Sequence, residues 1–395
     1  MQLLQAKVRC LKEVEDSGWF KPGRKITLLT GPRKGVISQI LKGLEALNPL
    51  YEIERINPFA DHPQTWQQGY YRRQVVREKK TAVTAVFSSN PELVKALSLL
   101  DESLIETDRI EMGRRLDYSR WVSFVEISAS ARWSDISDRI RVLRGELNDN
   151  VGSASSTSDA FIESCRQADR IKGPLARKCR EWLVRHSQQW TGEHYNLFRE
   201  CIHEVNLHER FKLANRFVKE YLPPIVYIGP ELLLRKVYKY ADLADADQSG
   251  KDPIVLLLNR IYKRFHLVQP TREILDRLNS RIQEIASREI YRMSGMMLMF
   301  EEESFSHGYS TKVKSPLDNR LMYIRLVCFL AEILWSRPPV LLLDGYDKEL
   351  PDTGRREMAC FVSAIAETTQ VLLHPDKHEW SPEYTDIKTL QILAE

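Results

Sequence analysis

The stretch LLTGPRKGVISQILKGL, residues 28–44, has residue types and spacing that could do chemistry. Ile26 to Leu29 reads as a strand and Gly31-Pro32 as a turn. From about Ser38 the pattern reads as a helix, with Ile37, Ile40, Leu41 and Leu44 on one face. That is the outline of a phosphate-binding loop, whose backbone N–H groups wrap phosphates while a lysine reaches the terminal ones. The lysine such a loop needs is missing. A second chemical candidate stands in PPVLLLDGYD, where Asp344 closes a fully apolar run of the parallel-sheet kind. A third is QVLLH, which ends another buried run on His374.

These residues need elements to position them. Residues 1–130 read as mixed α/β, with KITLLT, TAVTAVFSS and RWVSFVEIS as strands. In the last of these, Trp121, Ser123 and Val125 alternate with Val122, Phe124 and Glu126. Residues 131–295 are richer in Arg, Glu, Leu and Gln at helical spacing, as in Phe198, Ile202, Val205 and in Ile274, Leu278, Ile282, Ile285. NDNVGSASSTSD, 148–159, reads as a loose loop, YLPPIVYIGP as one short strand between helices, and ADADQSGKDP, 244–253, as a linker. From residue 296 the α/β character returns, with LMYIRLVCFLAEILW and RREMACFVSAIAET as helices. The two ends are therefore expected to build one sheet, with the middle inserted between them.

In this order the motifs resemble the head of an ABC-type ATPase of the RecF/SMC branch, over residues 1–130 and 295–395. IVYIGP with the downstream DPIVLLLNRIYKRF also resembles a segment of RecF-like and overcoming-lysogenization-like ATPases. The resemblance implies an α/β fold, a P-loop ABC-type ATPase head split in sequence. Residues 1–130 and 296–395 would form its two lobes, and 131–295 an inserted, mainly helical domain.

Carried over residue by residue, the family's phosphate loop falls on Gly31, Pro32, Arg33, Lys34, Gly35, Val36, Ile37, Ser38 and Gln39. Ile37 takes the lysine position and Val36 that of a glycine needed for close backbone approach. A charge-assisted hydrogen bond is worth about 1.5–3 kcal/mol, so its loss alone weakens nucleotide binding about tenfold or more. Lys34 is a candidate substitute. Leu341 to Asp344 match the magnesium strand, and Asp344 would hold Mg²⁺, usually through water. The position of the water-polarising glutamate is Gly345, and Asp347 lies nearby as a fallback carboxylate. The signature motif aligns with Ser315, Pro316, Leu317, Asp318, Asn319 and Arg320, without its glycines. The D-loop position is Asp352, and His374 lies near the switch-histidine position.

Three losses thus point the same way: Ile37 for binding, Gly345 for hydrolysis, Pro316-Leu317 for the contact with an opposite head. What the resemblance then implies is a pseudo-ATPase. It would be a non-catalytic structural subunit of a DNA repair, recombination or anti-phage defence complex, paired with an active ATPase or nuclease, or with a second copy. No cofactor is expected on that reading. Alternatives are an ATP-binding, slowly hydrolysing or partner-activated ATPase that uses ATP and Mg²⁺, and an α/β protein-interaction scaffold.

Composition bounds these expectations. The 395 residues are 43% hydrophobic and 28% charged, as in a soluble globular protein. No apolar run approaches the roughly 18 residues that span a bilayer, and the polar start MQLLQAKVRCLKEVED reads as no signal peptide, so a cytoplasmic protein without membrane contact is expected. The six cysteines form no CxxC pair and the nine histidines no HExxH, so no metal centre is expected. A GxGxxG fingerprint is absent. Net charge is only +4, yet basic residues cluster locally. Arg72, Arg73, Arg77, Lys79 and Lys80, with Arg170, Lys172, Arg177 and Lys178, are candidates for phosphate contacts along DNA, or are simply solvated faces.

Overall fold

The structure is a computed structural model. It describes residues 1–31, 33–50, 59, 80–100, 108–125, 131–151, 157–168, 170–171, 173–232, 234–235, 237–239, 252–264, 272–286, 297–303, 308–314, 319–335, 339–348, 350–376 and 387–392. In chain order the elements are β1 (Leu3–Leu11), β2 (Val14–Asp16), β3 (Ile26–Thr30), α1 (Lys34–Glu45), β4 (Thr81–Ser88), α2 (Pro91–Ser98), β5 (Arg109–Arg115) and β6 (Arg120–Phe124). They continue with β7 (Ala131–Arg132), α3 (Trp133–Val151), α4 (Thr157–Ala168), β8 (Arg170–Ile171), α5 (Pro174–Arg185), α6 (Gly192–Val205), α7 (Leu207–Tyr221), β9 (Ile225–Ile228) and β10 (Val237–Lys239). The last are α8 (Pro253–Arg264), α9 (Arg272–Ala286), β11 (Met297–Glu303), β12 (Gly308–Lys314), α10 (Asn319–Leu334), β13 (Val340–Asp344), α11 (Asp352–Ile365), β14 (Val371–His374) and β15 (Ile387–Gln391).

The protein is α/β, and the chain divides into two compact units: residues 1–88, 112–121 and 222–395, and residues 89–111 and 122–221. At the heart of the first unit is a parallel sheet in the order β15-β3-β14-β13-β9. Strands from both ends of the chain lie side by side in it, and β9 joins them. IVYIGP, expected as a strand isolated among helices, is thus an edge of the site-bearing sheet. Its four residues are all buried, as β13 and β14 are, which is why these strands read as unbroken apolar runs. β15 is the other edge and is largely exposed. A second, antiparallel sheet runs β2-β1-β4-β5-β6, and β11 pairs with β12 beside β10.

Strand period 2 sorts the parallel sheet into two faces. Ile26, Leu28, Val226, Ile228, Leu341, Leu343, Val371 and Leu373 join one apolar core with residues of α8, α10 and α11, such as Leu258, Phe329 and Phe361. The other face carries Tyr227, Leu342, Asp344 and His374, and α1 contacts β3, β9 and β13. α1 is amphipathic, burying Val36, Ile37, Ile40, Leu41 and Leu44. At its C-terminal end the buried Arg114 donates from Nε to the Ala46 carbonyl (2.7 Å), placing a cation at the negative end of the helix. Burial brings the pKa of Arg114 down to about 10, so it stays charged at neutral pH.

The second unit is built mostly of helices, with Ile136, Ile140, Leu143, Cys179, Leu183, Trp190, Cys201 and Val205 as its core. The loose loop expected over 148–159 is shorter than that. α3 runs on to Val151 and α4 starts at Thr157. In the linker-like stretch, Asp252 accepts from the Ile254 N–H (3.0 Å) ahead of Pro253, an N-cap with proline at the first helical position. Cys165, Cys179, Cys201 and Cys328 are buried thiols and Cys360 an exposed one, none of them in a disulfide. No helix among the described residues is long and apolar enough to cross a membrane.

Candidate functional site

The carboxyl ends of β3, β13, β14 and β9 open on one edge of the sheet, the place where open parallel sheets bind ligands. Asp344 and His374 are the last residues of neighbouring strands and stand directly opposite each other in register. His374 Nδ1 lies 2.8 Å from Asp344 Oδ1, and the Tyr227 hydroxyl donates to Asp344 Oδ2 at 2.7 Å. Tyr227 pairs with Leu342, two residues before Asp344, so its side chain rises on the same face. All three side chains are buried. Burial alone would raise the Asp344 carboxyl. Hydrogen bonds from His374 and Tyr227, with the Ser38 hydroxyl nearby, outweigh it and hold the group below the ordinary carboxylate range. Burial, and then the Asp344 charge, push the Tyr227 phenol well above its usual value, which keeps it a donor. Lys42 of α1 sits 5.3 Å over the Tyr227 ring.

The turn between β3 and α1 differs from the expected loop. Only Gly31, Pro32 and Arg33 separate the two elements, because α1 starts at Lys34 rather than near Ser38. The physical cause is the apolar stripe, which begins at Val36 and continues through Ile40 and Leu44. Val36 and Ile37 therefore lie in the first turn of a helix, with Ile37 0% exposed. A Cβ on Gly31 would come within 2.9 Å of Ile37 Cδ1 and 3.0 Å of the Ile392 carbonyl, so the isoleucine side chain fills the space beside the turn. A Cβ on Gly35 would meet nothing within 4 Å.

The other expected residues are distributed as follows. Lys34 Nζ is 3.3 Å from Asp376 Oδ1 and also donates to the Asp376 carbonyl. Ser38 donates to the Lys34 carbonyl at 3.3 Å. Asp347 accepts from the Asp376 N–H (2.6 Å), which ties it to the loop after β14. Arg320 is buried, donating to the carbonyls of Gly229 (2.7 Å), Leu232 (3.0 Å) and Asp344 (3.2 Å). Burial lowers its pKa, opposed by nearby Tyr323, Glu231 and Asp344. Asp352 is exposed at the start of α11 and pairs with Arg355 at 3.3 Å. Pro32, Ser315, Pro316, Leu317 and Asp318 lie outside the described residues, as do Arg72, Arg73, Arg77, Lys79 and Lys172. Arg170, Arg177 and Lys178 are exposed and belong to the second unit; Lys80 is half-buried and precedes β4.

Gly345 adopts φ +54°, and a Cβ there would sit 3.0 Å from Pro230 Cβ. Both the left-handed backbone and the neighbouring ring disfavour a side chain here. Gly345→Ala is expected to cost about 1–3 kcal/mol in urea unfolding. An unchanged midpoint would show that this turn tolerates a side chain. Tyr227 and Asp376 are the site residues that sequence reasoning missed. The signal for Tyr227 was a single hydroxyl in an otherwise apolar strand.

No family model matches the chain, and no curated protein does. Solved structures similar to it over nearly its whole length include SMC head domains and RecF. An Smc head bound to the C-winged helix domain of ScpA is 10% identical with a TM-score of 0.38, covering 96% of this chain and 91% of that one. The SMC head domain from Thermotoga maritima is 12% identical with a TM-score of 0.34, covering 95% and 90%. The recombination mediator protein RecF with ATP is 13% identical with a TM-score of 0.32, covering 99% and 95%.

Proposed function

We propose that this chain is an ABC-type ATPase head that has kept its sheet and lost nucleotide turnover. It serves as a structural subunit beside an active ATPase or a nuclease in a DNA repair, recombination or anti-phage defence complex, and contacts DNA through its basic segments. The observation that carries the loss of turnover is the turn after β3. With α1 starting at Lys34 and Ile37 packed beside Gly31, three residues remain where a triphosphate needs a wrapped backbone. The residues present do not fit that group. Lys34 is engaged by Asp376, and Arg320 is spent on carbonyls of its own chain. Gly345 offers no carboxylate, and its geometry resists one.

The test is ATP hydrolysis by the purified chain, with titration calorimetry in parallel. No turnover above background and no sub-millimolar affinity are expected. Turnover at an ordinary rate that disappears in Asp344→Asn would sink the proposal. Sub-millimolar binding without turnover would instead support the ATP-binding alternative, for which Ser38 and Asp344 are the pair in reach of each other.

A further inference from the structure

The second unit carries a feature that the lost nucleotide site does not explain. Along α5 and its C-cap, Lys178, Trp182, Arg185 and His186 follow at i, i+4, i+7 and i+8, one stripe on the helix side. Trp182 also starts a string of rings. Its centroid lies 5.6 Å from His186 and 5.8 Å from Trp190; Trp190 lies 5.2 Å from Phe198, and Phe198 lies 5.7 Å from Tyr195. Trp190 is buried and ties the string to the unit's core. The ends come to the surface, with Trp182 and His186 half-buried and Tyr195 45% exposed.

The charge around these rings is uneven. The outer face of α5 presents Arg177, Lys178 and Arg185 against Glu181 alone, with Val184 55% exposed between them. Arg170 is exposed just before the helix. On α6, Glu200 is neutralised by Arg139 (3.0 Å), while Glu193 stays exposed near Tyr195. Cations next to solvent-reached aromatic rings, on a rigid helix, are the two components of a stacking platform with a phosphate track. A solvated face needs no aromatic rings, and a duplex hides the base faces that rings stack on.

We propose that this surface binds single-stranded nucleic acid, its bases stacking on Tyr195, Trp182 and His186 and its phosphates tracking Lys178, Arg185 and Arg177. The inference rests on the DNA contact proposed above and makes it specific to unpaired strands. The full chain is titrated into fluorescein-labelled oligo(dT), oligo(rU) and a duplex, each of about 16 nucleotides or base pairs. Either oligonucleotide should bind about tenfold or more tighter than the duplex, and affinity should fall steeply between about 50 and 200 mM salt. Tyr195→Ala, an exposed change expected to leave the unfolding midpoint unchanged, should weaken single-strand binding about fivefold or more. Lys178→Ala should lower the salt slope by about 0.7. Equal affinity for duplex and single strand, or a silent Tyr195→Ala, overturns the stacking site while leaving DNA contact in place. No binding of any strand overturns both, without bearing on the ATP assay that tests the head itself.

Discussion

Ile37→Lys, the change that would supply a lysine where the proposed phosphate-loop reading lacks one, is expected to unfold the first unit rather than create a nucleotide site. Ile37 is fully buried in the first turn of α1, beside Gly31. Truncating a buried isoleucine to alanine costs about 2–5 kcal/mol. A lysine adds the penalty of a buried ammonium, which has to lose its proton or drag water inward. The sum is comparable to the whole stability of an ordinary domain, about 5–15 kcal/mol. Ile37→Val, losing one methyl, should cost only about 0.5–1.5 kcal/mol and serves as the folded control. Thermal and urea unfolding separate the variants. A Val36→Gly/Ile37→Lys double variant that folds with an unshifted midpoint and binds ATP would show that the turn can still open into a cradle. The pseudo-ATPase reading would then fail.

Much of this architecture is legible in the residues because the central strands of the parallel sheet are buried on both faces. ITLLT, VLLLD and QVLLH are mostly apolar, buried runs that give β3, β13 and β14. The helix of LMYIRLVCFLAEIL is apolar on nearly every side and becomes α10, buried from Arg320 to Leu334 except at the half-buried Glu332. Position along the chain, in contrast, hides sheet membership. β9 lies more than a hundred residues from β13 and reads as a lone strand, since nothing local to IVYI specifies its partner. β1, β2, β5 and the β11–β12 hairpin carry mixed polar and apolar residues, so period alone does not separate them from loop.

The site is legible in part for a similar reason. Asp344 and His374 stand out as the polar ends of apolar strands, and the structure sets them side by side. The start of α1 does not stand out, because Gly-Pro and Lys-Gly pull the reading toward a loop. The stripe Val36, Ile37, Ile40, Leu41, Leu44 wins that competition, as burying an apolar face outweighs the weak propensity of one glycine, about 1 kcal/mol. Arg320 shows the converse. On the proposed reading it aligns with the signature motif, yet its guanidinium holds the carbonyls of Gly229, Leu232 and Asp344. A charged residue in a motif-like stretch can therefore be turned inward to stabilise the fold.

That inward turn predicts the behaviour of Asp344. Its oxygens accept from His374 and Tyr227, and both donors are buried. Asp344→Ala strands the two buried donors and should cost about 2–6 kcal/mol, roughly 1–3 for each group left unsatisfied. Asp344→Asn keeps the shape but removes the charge, and its effect should depend on pH. The folded carboxyl lies below its ordinary value, so the unfolded chain takes up the proton first. The charge therefore stabilises the fold fully above the unfolded pKa of about 3.9, and that stability drains away as pH falls through the folded value. Urea unfolding of the native chain and Asp344→Asn should show the widest gap from about pH 5 upward, narrowing as pH drops below about 4. A gap that stays constant with pH would mean that the carboxylate is not held in its charged form by Tyr227 and His374. Asp344 would then be a poised ligand waiting for something else, and the reading of this edge as a closed, structural end of the sheet would fall with it.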